Sequence, residues 1–285
     1  MKRRYGWQMD HQKTHAPYAI LRHLTSTLQR TVRASGRMAV DMLLPPRCLS
    51  CSEPLDRHGA LCSECWPQMR WLRAPWCECC GLPFAHGLGQ GALCGGCLAK
   101  APKFASARSA LAYDKGSNRM VARFKYQDAT LLAPVLGEWM LRAGGEVLNG
   151  VEVIVPVPLH WRRLLWRRFN QAALLAGEIR RHTAIPLLAN GLQRTRHTRP
   201  QASLTREQRK KNVRGLFRVR PSQRTALSGK IVLLVDDVHT TGATLEACSR
   251  ALLRAGAKEV RCLTLARTLY DTMQPPIPKE EGVSA

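Results

Sequence analysis

Ile231-Val-Leu-Leu-Val-Asp236-Asp237-Val-His-Thr240-Thr241-Gly242-Ala243-Thr244 is the stretch on which the fold turns. Lys230–Val235 is a nearly uninterrupted run of β-branched and leucine side chains, the mark of a strand buried on both faces of a parallel sheet. Two carboxylates follow, then a turn rich in hydroxyls, then a helix over Ala243–Ala255 that closes at Gly256, a suitable C-cap. In open α/β sheets, ligands collect at the carboxyl ends of the strands. A turn that enters a helix aims free backbone N–H groups and the positive end of the dipole at an anion. Gly242 lets the backbone approach closely or adopt positive φ. Thr240, Thr241 and Thr244 add hydroxyl donors. Carboxylates repel phosphate but accept from ribose hydroxyls or ligate Mg²⁺. The stretch therefore reads as a sugar-phosphate cradle. A P-loop is a poor alternative, since no Gly-x-x-x-x-Gly-Lys-Ser/Thr occurs and no Lys follows Gly242. The plainer alternative is a strand–turn–helix with a Thr N-cap, but every position agrees with one anion geometry.

Working outward, Ala107–Tyr113, Val151–Val157 and Val260–Leu265 read as further strands. Asn118–Gln127, Leu131–Ala143 and Asn170–His182 read as helices, with Leu132, Val135, Leu136 and Trp139 on one face of the second. Strands alternating with helices predict an α/β fold with an open, mostly parallel sheet. This domain is expected over residues 103–270, followed by a Pro-rich, charged tail at 271–285 for which disorder is expected. Residues 1–44 form an N-terminal extension. Its first 17 residues are polar, and Leu21, Leu24, Leu28, Val32, Met38 and Met42 then recur at mostly helical spacing.

Residues 45–102 carry a second signal. Cys48/Cys51, Cys62/Cys65, Cys77/Cys80 and Cys94/Cys97 are four Cys-x-x-Cys pairs in two similar halves. Two such pairs complete a tetrahedral Cys₄ Zn²⁺ site, so eight thiols predict two. All ligands come from the protein, which makes the metals structural. Sequential and cross-braced pairing both satisfy the spacing. Cys79, Cys248 and Cys262 are left over, the last two expected as buried apolar residues. A ribbon of this kind is expected to act as a folding staple docked on its neighbour.

The chain has 285 residues and a net charge of +24. That excess favours polyanions: nucleic acid, phosphorylated metabolites or anionic lipid. No apolar run approaches the ~20 residues of a membrane span, and no signal-peptide pattern opens the chain. The cytoplasm is the expected compartment, where eleven cysteines point to metal rather than disulfides.

The Asp236-Asp237 and Thr240–Thr244 fingerprint resembles that of the type I phosphoribosyltransferases. Val155-Pro-Val-Pro-Leu159, Arg167-Arg168-Phe169-Asn170-Gln171 and the segment Arg194–Phe217 narrow the match. With the cysteine module in front, residues from about Leu43 to Leu269 look like the ComF/GntX family of competence-associated phosphoribosyltransferase-like proteins. The resemblance implies phosphoribosyl diphosphate as ligand, with Mg²⁺. Asp236 and Asp237 would hold the ribose hydroxyls, and Thr240, Thr241, Gly242, Ala243 and Thr244 the 5′-phosphate. The strand end at Val157–Leu159, including Pro158, would form the pyrophosphate loop. Arg194–Phe217, including Arg209, would be the mobile loop, and Lys125 would reach the phosphates. One position departs: Arg168 stands where the family usually has Gly.

Between Arg194 and Arg224 there are eleven Lys/Arg and one acid, Glu207. Arg162, Arg163, Arg167 and Arg168 make a second cluster, interleaved with Trp161, Trp166 and Phe169. Cations can stabilise a departing pyrophosphate or track a nucleic-acid backbone, and interleaved aromatics can stack on single-stranded bases. Two functions follow. One is an enzyme, a Mg²⁺-dependent phosphoribosyltransferase with an unidentified acceptor, linked to DNA uptake or nucleotide salvage. The other is a non-catalytic competence factor that binds single-stranded DNA or a protein of the competence machinery and uses the site only to sense phosphoribosyl diphosphate or a nucleotide.

Overall fold

The computed structural model describes residues 45–126, 129–160, 164–165, 169–195 and 215–269. The N-terminal amphipathic pattern, the Arg162–Arg168 cluster with Trp161 and Trp166, Arg209 and the tail lie outside the described residues.

The central strand is β5, Ile231–His239. Val232, Leu233, Leu234 and Val235 are all fully buried, as the unbroken apolar run requires. Side chains alternate across a strand, so Val232 and Leu234 join one core while Leu233 and Val235 join another. β5 lies in a four-stranded sheet of order β1-β6-β5-β2. Its members are β1, Ser106–Ala112, β2, Val153–Pro156, and β6, Glu259–Arg267. All three pairings are parallel.

One core is closed by α2, Lys115–Tyr126, α3, Ala129–Ala143, and α5, Gln171–Thr183. These bring Phe124, Leu136, Leu175 and Ile179 against Leu233 and Val235. Asn170 caps α5 by accepting from the Ala172 N–H at 3.1 Å. The short α4, Gly145–Leu148, follows α3. The other core is closed by α7, Ala243–Arg254, and by part of the cysteine module, whose only helix among the described residues is α1, Gly95–Ala99. A two-stranded antiparallel pair, β3, Leu192–Arg194, with β4, Phe217–Val219, leads through α6, Arg224–Leu227, into β5. Sequence periodicity passes over strands of three residues, and this pair anchors both ends of the predicted mobile loop side by side. The Thr195 N–H donates to the Leu216 carbonyl at 2.9 Å.

The cysteine module does more than precede the sheet; it covers the exposed edge of β1. Trp71 bridges Leu111 in antiparallel fashion. The Leu72 and Ala112 N–H groups exchange bonds with Ala110 and Arg70 carbonyls at 3.0 and 2.8 Å, and Ala107 donates to the Cys79 carbonyl at 2.7 Å. An uncovered edge would be a template for unwanted pairing. Arg108, only 3% exposed, pins the same edge. It donates to the Glu78 carbonyl at 2.9 Å and pairs with the carboxylates of Glu78 and Glu146 at 3.0 and 3.4 Å. Its guanidinium lies 4.7 Å from the centre of the Trp76 ring.

Two glycines report how close the docking is. Both have positive φ, Gly59 at 75° and Gly81 at 69°. A Cβ on Gly59 would meet the tip of Val135, whereas one on Gly81 would run into the backbone carbonyl of Ala107. A side-chain tip can yield and a strand carbonyl cannot. Gly81→Ala is therefore expected to destabilise the zinc-loaded protein by about 1–3 kcal/mol more than Gly59→Ala, measured by denaturant unfolding. Equal losses would show that the module is not seated on β1 as described.

Candidate functional site

Each half of the module gathers four thiols. Cys48, Cys51, Cys62 and Cys65 form one set and Cys77, Cys80, Cys94 and Cys97 the other, with the sulfurs of each set within 4.8 Å of one another. Tetrahedral Zn–S bonds of about 2.3 Å put sulfurs about 3.8 Å apart, so both sets fit zinc, and the grouping is sequential rather than cross-braced. His86 is exposed and stands outside both sets.

The two halves repeat even in detail. The Cys48 sulfur accepts from the Cys62 N–H at 3.3 Å, and the Cys77 sulfur from the Cys94 N–H at the same distance. Burial pushes both thiols up, but the converging N–H groups outweigh it and leave them at about 6 and about 7. Burial carries Cys65 to about 12 and Cys80 to about 11. Crowded thiols cannot all ionise unaided, and a divalent metal supplies the compensating charge. Cys248 and Cys262 are fully buried, and burial raises both thiols, as expected of inert core cysteines.

At the far end of β5 the strand runs on through both acids to His239, although aspartate disfavours strands. The pairing that holds it there is Asp236 beside Thr264 and Val238 beside Ala266 of β6. The Asp236 carboxylate accepts from the Asp237 N–H at 2.9 Å, and Asp237 from the Val238 N–H at 2.7 Å. Asp236 keeps some accessible surface but is hemmed in by protein atoms. That desolvation, and secondly the Asp237 charge, hold its carboxyl well above the ordinary range. Lys125 Nζ, at the end of α2, pairs with Asp237 at 3.1 Å and lies 5.9 Å from the centre of the Tyr113 ring. Its position is fixed from behind, since Gln171 Nε2 donates to the Lys125 carbonyl at 2.9 Å.

The turn beyond is built for close approach. Gly242 is the N-cap of α7 with φ 75°, and its carbonyl accepts the first helical bond, from Glu246 N–H at 2.8 Å. The Ala243 N–H leans on the Thr241 hydroxyl at 3.4 Å. Ala243 is buried, while Thr240, Thr241, Gly242 and Thr244 are partly open. Pro158 follows the end of β2, whose Pro156 lies beside Val235; the Val157 N–H donates to the Val235 carbonyl at 2.8 Å. The structure thus brings Asp236, Asp237, Lys125, Pro158 and Thr240–Thr244 to one end of the sheet. Arg209 lies outside the described residues.

Two residues that sequence reading passed over tie this turn to the second thiol set. Arg267, at the end of β6 and 6% exposed, donates to the Cys80 carbonyl, to Cys80 Sγ at 3.5 Å and to His239 Nδ1 at 3.2 Å. Arginine only donates, so Nδ1 accepts and the imidazole carries its proton on Nε2. Burial, and then the Arg267 charge, keep His239 neutral by pushing it well below its usual range. His239 Nε2 sits 2.9 Å from where a Cβ on Gly242 would stand, and Phe104 packs edge-on against the ring at 6.2 Å. A charged residue closing an apolar strand was the available signal for Arg267.

Sheet, strand-end acids and anion turn together define a phosphoribosyltransferase-like protein fronted by a double zinc ribbon. Family models agree: a double zinc ribbon domain matches residues 39–101 and a phosphoribosyl transferase domain matches residues 172–284. The chain belongs to the ComF family. It is 32% identical over 229 residues to Competence protein F of Haemophilus influenzae, covering 78% of this chain and 96% of that one. It is 33% identical over 238 residues to the DNA utilization protein YhgH of Salmonella typhimurium, covering 80% and 100%. Competence protein ComFC of Bacillus subtilis is 26% identical over 218 residues, covering 73% and 84%. No helix of the described residues is long and apolar enough to cross a membrane.

Because Arg267 faces a ligand thiol from outside the metal set, its loss should weaken one zinc site and spare the other. Outer-shell partners are worth about 10–100-fold in metal affinity. In Arg267→Met, one zinc per chain is expected to pass to a competing chelator that much more readily, with the second release unchanged. Parallel release of both would sever the proposed link.

Proposed function

We propose that the chain binds phosphoribosyl diphosphate at the end of β5 and transfers its phosphoribosyl group to an acceptor in the handling of DNA or nucleotides. The observation that carries this reading is the juxtaposition at one strand end. Two carboxylates adjoin a glycine-capped helix N-terminus, and Lys125 is already paired with one of them. Few ligands ask for acids and an anion cradle side by side, and a sugar diol flanked by phosphates is one that does. The names of the relatives, in competence and DNA utilization, support the cellular setting.

In this reading the 5′-phosphate sits on the amides of Thr240–Thr244, helped by the threonine hydroxyls and the helix dipole. Asp236 and Asp237 accept from the ribose hydroxyls and fix the ring. The pyrophosphate lies toward Pro158 and Lys125, which exchanges part of its contact with Asp237 for a phosphate oxygen. The hard oxygen donors of Asp236 and Asp237 fit Mg²⁺, which would reach the site with the ligand's phosphates. When bound, Mg²⁺ neutralises charge on the departing pyrophosphate. The reaction is displacement at the anomeric carbon: the C1–O bond to pyrophosphate breaks, a bond from C1 to the acceptor forms, and the acceptor's proton passes to solvent or pyrophosphate. The protein's contribution is to hold the ring, stabilise the leaving charge and exclude water.

Asp236 links binding to pH. A carboxyl raised in the folded state stabilises the fold while protonated, and that contribution is lost as pH rises through its folded value. A ligand that needs the carboxylate must expel the proton, so affinity should fall on acidification. Asp236→Asn is expected to raise the Tm at neutral pH by relieving the crowded charges, and to weaken phosphoribosyl diphosphate about 10–150-fold, the loss of a hydrogen bond to a charged group. Calorimetric titration with Mg²⁺ present and a thermal scan check both. Wild-type affinity in the variant, or no binding to the folded wild type, would defeat this reading.

A further inference from the structure

Away from the strand-end site, a cavity of about 790 Å³ opens between the first zinc ribbon and α3. Three tryptophans line it, with exposure graded from one to the next. Trp139 on α3 is buried at 8% exposure, Trp71 is half-buried, and Trp66, next to ligand Cys65, stands 55% exposed. Trp71 meets Trp139 edge-on at 4.9 Å and Trp66 at a 46° tilt at 5.3 Å. Arg57, Glu138 and Arg142 also line the cavity, and all three are exposed.

Tryptophan carries the largest apolar ring system, and leaving half of one in water gives up much of its burial energy. The walls cannot collapse to cover it. The ribbon loop is held by its metal ligands, and Gly59 already lies so close to α3 that a Cβ would stand 2.7 Å from Val135. The platform is thus held in place, and its border carries two arginines and one glutamate. A protein helix would seek an apolar trough, which this rim of arginine and glutamate does not offer.

We propose that this groove is a stacking site for single-stranded nucleic acid, with bases on Trp66 and Trp71 and flanking phosphates on Arg57 and Arg142. An aromatic face accepts any base, which makes such sites tolerant of sequence. Paired bases in a duplex hide their faces and cannot enter. The chain's net charge of +24 draws the polyanion in at long range. This role is independent of phosphoribosyl diphosphate and uses none of the strand-end residues.

The test is anisotropy of a labelled twelve-residue oligothymidylate titrated with the zinc-loaded full chain. Trp66→Ala should lose about 5–150-fold in affinity, the worth of one stacked base, while Trp66→Phe retains most of it. Arg57→Ala/Arg142→Ala should lower the slope of log affinity against log salt by about 1.4, for two phosphates on a single strand. Zinc content and phosphoribosyl diphosphate binding should be unchanged in each variant, which separates this proposal from the preceding one. Wild-type affinity in both Trp66→Ala and the arginine variant overturns the proposal. So does a loss in Trp66→Ala that is equal for inorganic polyphosphate, or a preference for the matching duplex. If Trp66→Ala sheds zinc, the arginine variant decides alone, and an unchanged salt slope is then the refuting result.

Discussion

A buried guanidinium must find acceptors, and in this molecule the two terminal nitrogens of Arg267 find them in two directions, while its Nε has no partner among the described residues. Cys80 meets it from the zinc ribbon and His239 from the end of the central strand. Burying an unpaired charge would cost several kcal/mol, so neither partner can move away without penalty. The metal site and the anion turn are consequently parts of one unit. This explains why the module, expected from sequence to dock on its neighbour, shares a buried cluster with Val232 and Leu234 of the sheet. Edge pairing along β1 and the Arg108 contacts extend the same union across the sheet's flank.

The strand end stores the opposite kind of constraint. Asp236 and Asp237 adjoin each other in a confined space, and Lys125 pairs with Asp237. Such crowding disfavours the free protein and rewards any ligand that brings hydroxyl donors or positive charge. Beside the acids, the neutral His239 ring occupies the space that a Cβ on Gly242 would need.

Much of this was legible before any coordinates. The apolar run Ile231–Val235 announced a buried parallel strand, because burial imposes residue types locally. The four Cys-x-x-Cys pairs announced two metal sites in the same local way. What stayed hidden depends on contacts distant in sequence. Sequential pairing of the thiols, the continuation of β5 through two aspartates and the short β3–β4 pair are all decided by neighbours. Arg267 and His239 are separated by 28 positions, and Trp66 and Trp139 meet through Trp71 only once the ribbon is seated on α3. No periodicity encodes such meetings.

The central claim is that the turn from Thr240 into α7 is the anion-holding element of this chain. Amide hydrogen exchange with and without phosphoribosyl diphosphate and Mg²⁺, on the zinc-loaded protein, addresses it most directly. The account expects slowed exchange concentrated on residues 240–246, with the ends of α2 and β2 following. Saturating ligand that leaves those amides unchanged, or protects another face of the molecule instead, would contradict it.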